Sequence, residues 1–462
     1  MNKPNVLLLV VDSLRVDHLS CYGYGQRTTP YIDELAKSSI LFNQAISPSG
    51  WTLPVFASML TGTYPSKNGV GQYLENFPTI MEVLRSVGYR SLVVTDNPFV
   101  QLLCNQADDR IFVTEDQVAR MSRSRDVSIL LEMVGSALLH KSTHLRSFAP
   151  NYLKNKLAKN WINRNRESAP WFTMIHYDVH WPYDPPRDFR DQFLDSALRK
   201  RAGTVRSEVY ELIAGDLKDK IKVLKSLYDG QIAWVDACIG DLLNQMKSQS
   251  IFDDTITIVT SDHGDLLGEH GLLHHEFVLY EPLIRVPFIV RIPGKFREGR
   301  RNDSLVQTVD ILPTLVDYFG IDRPVITQQI QGKSLLKIVD SADHRDFTIS
   351  ERADWSSPTS RRKLDNLSQK YPSYDWKKHA HELVAVRTED KKYLWSSEGR
   401  DELYDLQTDP QELTNLIAVE DATRRELRNK LDMWNSSFLR APIGDDKFES
   451  VITKKLKALG YL

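Results

Sequence analysis

Residues 5–12 read NVLLLVVD, an apolar, branched run that stops on a carboxylate. The run is too short to cross a bilayer and has no small-residue cleavage site, so it predicts a strand buried on both faces. Similar runs recur at 91–95 (SLVVT), 172–177 (FTMIHY), 255–260 (TITIVT) and 284–292 (IRVPFIVRI). Helix patterns lie between them. Thr79 and Glu82 form a capping box before IMEVLRSVG, which Gly88 stops. Residues 230–248 read as a long amphipathic helix, and Asp310 stands as the N-cap of ILPTLVDYF, closed by Gly320. Alternating strands and helices predict an α/β fold: a doubly wound, mostly parallel sheet flanked by helices. Active sites of such sheets gather at the carboxyl ends of strands. That rule brings Asp12 together with Asp262 and His263, which follow the 255–260 run.

The chain has 462 residues, more than one ordinary compact domain holds. A large domain over 1–345 and a smaller sheet-and-helix domain over 346–462 are expected. Hydrophobic content of 41% and charged content of 26% are those of a globular protein. A net charge of −2 gives no global field for nucleic acid, and no nucleic-acid partner is expected. Cys21, Cys104 and Cys238 form neither a metal spacing nor a disulfide framework, which fits a reducing compartment. With no apolar run long enough to be a transmembrane segment, the expected location is cytoplasmic. Segment 141–166 carries seven Lys/Arg and no Asp or Glu, with apolar residues at loosely helical spacing. It reads as a solvated helical insertion, or as a basic surface for a lipid- or polymer-linked anionic ester. Residues 354–381 are polar and read as an irregular insertion.

Chemistry concentrates in three places. Thr52, in SPSGWTLPVFASMLTG (47–62), precedes Pro54 and an apolar helix pattern that Gly62 ends. A capping threonine and a nucleophile in the positive field of a helix start look alike locally. In SDHGDLLGEHG (261–271), Asp262 and His263 offer an oxygen and an imidazole nitrogen to one cation, with Asp12 as a second carboxylate and Thr52 as a further oxygen. Such a set suits one divalent ion, Mn²⁺, Mg²⁺, Ca²⁺ or Zn²⁺. HYDVHWPYDPP (176–186) adds His176, Asp178 and His180 after another strand, and His270, His274 and His275 cluster farther on.

Three runs carry a family resemblance: NVLLLVVDSLRVDHLSCYGYG, TLPVFASMLTGTYPSKNGV, and SDHGDLLGEHG followed by LYEPLIRVPFIV. In them the chain resembles the sulfatase family of the alkaline phosphatase superfamily. YDGQIAWVDACIGDLL (228–243), VQTVDILPTL (306–315), ELYDLQTDPQELTNL (402–416) and the closing KLKALGYL extend the resemblance in order. Only about 105–168 and 354–381 look private to this chain. The resemblance implies a large α/β domain that holds the site and a smaller C-terminal sheet-and-helix domain. It implies that Asp12, Asp262 and His263 are metal ligands, that Thr52 holds the nucleophile position, and that His180 contacts substrate. His275 lies near a lysine position that grips sulfate. Lys67, Asn97, Asp178 and His270 complete the candidate substrate-binding set.

The chain also departs from the family pattern. Where sulfatases carry Cys or Ser, then Pro, then Arg around their formylglycine, this chain has Thr52, Pro54 and Phe56. Threonine does not become that aldehyde. The second aspartate of the family's Asp-Asp pair is Ser13, and TDNPFV (95–100) replaces the segment whose Lys and His hold sulfate, leaving Asn97 there. The remaining set is similar to that of phosphoglycerol and phosphoethanolamine transferases of the same superfamily. The expected function is therefore a metal-dependent hydrolase or phosphotransferase of phosphate or phosphonate esters, with Thr52 as nucleophile and His180 or His275 acting on the leaving oxygen. The alternatives are a sulfate-ester hydrolase without formylglycine and a non-catalytic binding member.

Overall fold

The computed structural model describes residues 3–72, 74–114, 145–168, 170–195, 218–275, 277–296, 299–352, 358–372 and 374–441. The start of the basic segment (141–144), parts of the polar insertion (354–357 and 373) and the closing KLKALGYL lie outside them.

An eight-stranded sheet organises the larger part. In spatial order its strands are Arg300–Gln307, Ile40–Ile46, Phe288–Arg291, Thr255–Thr260, Asn5–Asp12, Trp171–Asp178, Arg90–Thr95 and Asp109–Phe112. Alternate residues of the Asn5–Asp12 strand enter two cores. Val6, Leu8 and Val10 pack with the Thr52–Thr61, Ile80–Arg85 and Ile311–Tyr318 helices. Leu7, Leu9 and Val11 pack with the Pro30–Ala36, Leu145–Asn165 and Lys218–Ser248 helices. Burial on both faces is what an apolar run without alternation demands. The molecule is thus an α/β protein with a mostly parallel sheet between helical layers. No helix among the described residues is long and apolar enough to cross a membrane.

Several expectations need correction. The 284–292 run is not one parallel strand: Glu281–Ile284 is a helical turn, and only Phe288–Arg291 is strand. That strand runs antiparallel to both of its neighbours. Arg285, after the helical turn, and Arg291, at the end of the strand, reach the backbone carbonyls of Asn43 and Phe252. The long helix begins at Lys218 rather than 230, because Val223, Leu224 and Leu227 continue its buried stripe. The polar insertion is less irregular than its composition implies. Pro358–Lys370 forms a helix whose Leu364 and Leu367 are buried. The Thr79–Glu82 capping box is present as read. Asp310, however, makes no side-chain cap; its carboxylate accepts from the Gln307 and Lys333 backbone N–H groups and pairs with Arg345.

A four-stranded antiparallel sheet follows: Thr348–Arg352, Leu383–Arg387, Lys391–Ser396 and Glu402–Asp405. Leu427, Leu431 and Trp434 of the Asp421–Ser436 helix cover one face. Its first strand docks on the loop that leads into Thr52. The Glu351 N–H donates to the Pro48 carbonyl (2.8 Å), Ser350 Oγ to the Ser47 carbonyl (2.6 Å) and Ser49 Oγ to the Glu351 carbonyl (2.6 Å). The Glu351 carboxyl accepts from Ser66 N–H (2.9 Å) and Ser66 Oγ (2.8 Å), just past the helix.

Candidate active site

Every residue of the Thr52–Thr61 helix is buried. Trp51 holds extended backbone and serves as its N-cap position, so the helix starts one residue earlier than a capping Thr52 would place it. Thr52 is therefore the first helical residue. Its hydroxyl does not cap; it meets Nε2 of His263 at 3.3 Å. Gly62 closes the helix in a left-handed conformation (φ 67°), as glycine at that position does.

The strand ends deliver the rest. Asp12, beside Asp178 in the parallel register, is 3% exposed, and Asp262 and His263 are fully buried. Asp262 Oδ1 accepts from the N–H groups of His263 (2.8 Å) and Ser13 (3.2 Å). His263 Nδ1 is 2.9 Å from the Gly264 carbonyl, to which it must donate. That bond occupies Nδ1 and leaves Nε2 turned toward the site. Around Nε2 stand Thr52 Oγ1 at 3.3 Å, Asp262 Oδ2 at 3.5 Å and Asp12 Oδ1 at 3.6 Å.

The sequence reading left His176 out of this group. Period-two alternation places it on the face of Phe172 and Met174, which is the face of the Thr52 helix. Its Nε2 lies 3.5 Å from Asp12 Oδ2, its Nδ1 meets Thr95 Oγ1 (3.3 Å), and the Phe56 ring packs edge-on against it at 5.1 Å. Phe56 stands where the family pattern has the maturation arginine.

A divalent cation fits these residues. One ligand atom from each of Asp12, His176 and Asp262 lies within 4.8 Å of the others. Among the described residues, Asp262 Oδ2 and His176 Nε2 are buried and lack a hydrogen-bond partner. Two buried carboxylates with orphaned ligand atoms between them are costly without a compensating charge. Burial opposes the Asp12 charge, but His176, His180 and His263 hold its pKa well below the usual carboxylate range. Asp262 is pushed the other way, first by burial and then by the neighbouring Asp12 charge.

Facing this group is a set of imidazoles. His180 donates from Nδ1 to the Trp181 carbonyl (2.5 Å) and its N–H reaches Asp178 Oδ1 (2.7 Å). Burial disfavours its proton, yet Asp12, Asp265 and Asp178 raise its pKa to about 9. Asp178 is itself raised to about 6 by burial and by Asp96. His275 Nδ1 lies 2.8 Å from Asp265 Oδ1, and its ring centroid is 4.3 Å from that of His263. Asp265, fully buried and also bound by Tyr183 Oη (2.6 Å), is a second residue the sequence reading missed.

Three candidate binding residues are engaged elsewhere. Asn97 caps the Pro98–Leu103 helix, accepting from Phe99 N–H (2.9 Å) and Val100 N–H (3.4 Å). Lys67 Nζ donates to the Gln329 carbonyl (2.6 Å). His270 stacks on Tyr280 at 3.8 Å and lines a separate cavity with Tyr374, His379 and Glu402. The basic segment also turns inward: Lys154 is fully buried and pairs with Asp96 at 2.8 Å, and Lys159 pairs with Asp241 at 2.7 Å.

Comparison with known proteins places this geometry in context. The family model described as Sulfatase matches residues 4–321, and that of the N-sulphoglucosamine sulphohydrolase C-terminal region matches 268–436. An arylsulfatase of Clostridium perfringens is 25% identical over 476 residues, covering 92% of each chain. The crystal structure of a phosphonate monoester hydrolase of Agrobacterium radiobacter superposes with a TM-score of 0.71 at 22% identity, covering 94% of this chain and 96% of that one. A phosphonate monoester hydrolase from Silicibacter pomeroyi gives 0.70 at 19% identity, covering 94% and 95%. At these identities the two structures show a shared fold.

Proposed function

Because this chain belongs to the sulfatase family, we propose that it is a metal-dependent ester hydrolase or phosphotransferase acting on phosphate or phosphonate esters, with Thr52 as nucleophile. The observation that carries this is the buried Thr52 hydroxyl at the start of its helix, 3.3 Å from His263 Nε2, the atom around which Asp12 and Asp262 also stand. Asp12, Asp262, His263 and Thr52 would hold the cation, with His176 added to the set. A divalent cation bound there lowers the cost of ionising the hydroxyl and of gathering negative charge on the substrate's non-bridging oxygens.

The side chains divide the remaining work. The Thr52 oxygen attacks phosphorus in line, the bond to the leaving oxygen breaks, and the phosphoryl or phosphonyl group rests on Thr52. His180 and His275 meet charge on the leaving oxygen. Water or an acceptor alcohol then attacks phosphorus and frees Thr52. Support for phosphorus over sulfur comes from the chain itself. Thr52 has no route to formylglycine, Phe56 is used to orient His176, and Asn97 is spent on a helix cap. Support for the alternative, sulfate-ester hydrolysis from an unmodified threonine, comes from relatives such as the Clostridium arylsulfatase.

A side-by-side assay of an aryl phosphate, a bis-aryl phosphate, an aryl phosphonate and an aryl sulfate tests the choice. One of the phosphorus esters is expected to give the highest kcat/KM. An aryl sulfate turned over faster than all three contradicts it.

A further inference from the structure

We infer that the cavity of about 210 Å³ beside His270 is a binding site for a ring compound that carries an anionic group. Leu272, Phe277 and Tyr280 line it from the large domain, and Tyr374, His379 and Leu383 from the part of the chain that builds the small sheet. None of its lining residues belongs to the group around Asp12 and Asp262. A cavity of about 150 Å³ holds a benzene ring, so this one takes a single substituted ring.

One end of the cavity is positive. Lys378 and Arg400, both exposed, line it. Lys378 Nζ stands 4.3 Å from the centre of the Tyr374 ring. Arg400 donates to the Lys378 carbonyl (3.2 Å) and pairs with Glu398 at 3.1 Å. Buried Arg352 donates to the carbonyls of His379 and His381. These charges converge on His379: burial, then Arg352, Lys378, His381 and Arg400, push its pKa down to about 3. The carboxylate of the lining, Glu402, is taken up by the hydroxyls of Tyr280 (3.1 Å) and Tyr404 (2.8 Å). An anion at the His379 end answers the positive charge there, and a cation is repelled by it.

Two imidazoles of the lining hold atoms without partners. His381 Nδ1 and His270 Nε2 are buried and lack a hydrogen-bond partner among the described residues, and His381 is only 7% exposed. Buried polar atoms are normally satisfied, and a polar ligand in the cavity supplies the missing bond. Phe277 and Tyr374, whose rings lie 4.9 Å and 5.9 Å from that of His379, give the ligand's ring an apolar wall. Aromatic walls with a few convergent polar groups are the make-up of small-molecule sites.

Equilibrium dialysis of the whole chain against benzoate, phenylphosphonate and uncharged benzamide tests the site without any activity readout. Saturable binding of at least one of the two anions is expected, with benzamide about tenfold weaker or worse. Benzoate alone assigns a carboxylate, phenylphosphonate alone a tetrahedral oxyanion. The double variant Lys378→Ala, Arg400→Ala and the single variant His381→Phe should each raise the Kd about tenfold or more, and Asp262→Asn should leave it unchanged. The proposal is overturned if neither anion saturates the wild type, if benzamide binds as tightly, or if Asp262→Asn abolishes binding while the cavity variants keep it. If His381→Phe does not fold, the double variant of the two exposed residues decides.

Discussion

At the residue scale the site turns on what each polar atom is already bonded to. Thr52 points at His263 rather than capping its own helix, whereas Asn97 caps a helix. Asn97→Ala should therefore cost about 1 kcal/mol of stability, as lost N-caps do, and leave kcat within twofold. Urea unfolding and steady-state kinetics on one preparation read both; a large kcat loss at unchanged stability would return Asn97 to substrate binding. His176 carries the opposite expectation. With Nε2 aimed into the carboxylate pair, His176→Ala should weaken metal binding by about 10- to 100-fold, seen as a raised Mn²⁺ Kd in equilibrium dialysis. An unchanged Kd would make it a packing residue. Asp12, Asp262 and His263 were legible because strand ends are legible. His176 was not, since a histidine inside an apolar run reads equally as core, and only its register against the Thr52 helix shows its use.

At the element scale, the loop into Thr52 is held from outside the large sheet. Glu351, on the first strand of the small sheet, binds Ser66, and burial pushes its pKa up to about 7. A carboxyl that is raised in the folded chain gives its full stability below its unfolded value of about 4.3 and loses it as pH rises through 7. The slope is at most about 1.4 kcal/mol per pH unit. Glu351→Gln keeps an acceptor for Ser66 N–H and a donor for Ser66 Oγ. Urea midpoints should fall between pH 5 and 8 in the wild type and fall less in the variant; parallel curves would contradict the assignment. Strands such as Asn5–Asp12 and Thr255–Thr260 were readable because burial on both faces leaves an uninterrupted apolar run. Ile40–Ile46 and Arg300–Gln307 were not. They lie toward one edge of the sheet, where ILFNQAI and RRNDSLVQ mix polar and apolar residues and resemble loops. The antiparallel Phe288–Arg291 strand is likewise invisible to a pattern that reports burial but not direction.

For the whole molecule, the sheet gathers Asp12, His176, Asp262 and His263 from three strand ends, and one helix brings Thr52 to them. A cation that relieves the buried carboxylates binds only the folded chain, so it should stabilise by mass action. Chelation should lower Tm, and Mn²⁺ at 100 times its Kd should restore about 2.7 kcal/mol. A Tm indifferent to chelator and metal would favour a non-catalytic member of the family. The basic insertion shows where composition misleads. Its lysines looked like a surface for an anionic polymer or lipid, but Lys154 and Lys159 are used on Asp96 and Asp241, which no charge count reveals. The central claim is that Thr52 is the nucleophile. Its most direct test is kcat of Thr52→Ala on the best of the four esters, with metal content and Tm checked against the wild type. A loss on the order of 10³-fold or more is expected in a folded, metal-loaded variant; turnover at the wild-type rate would contradict it.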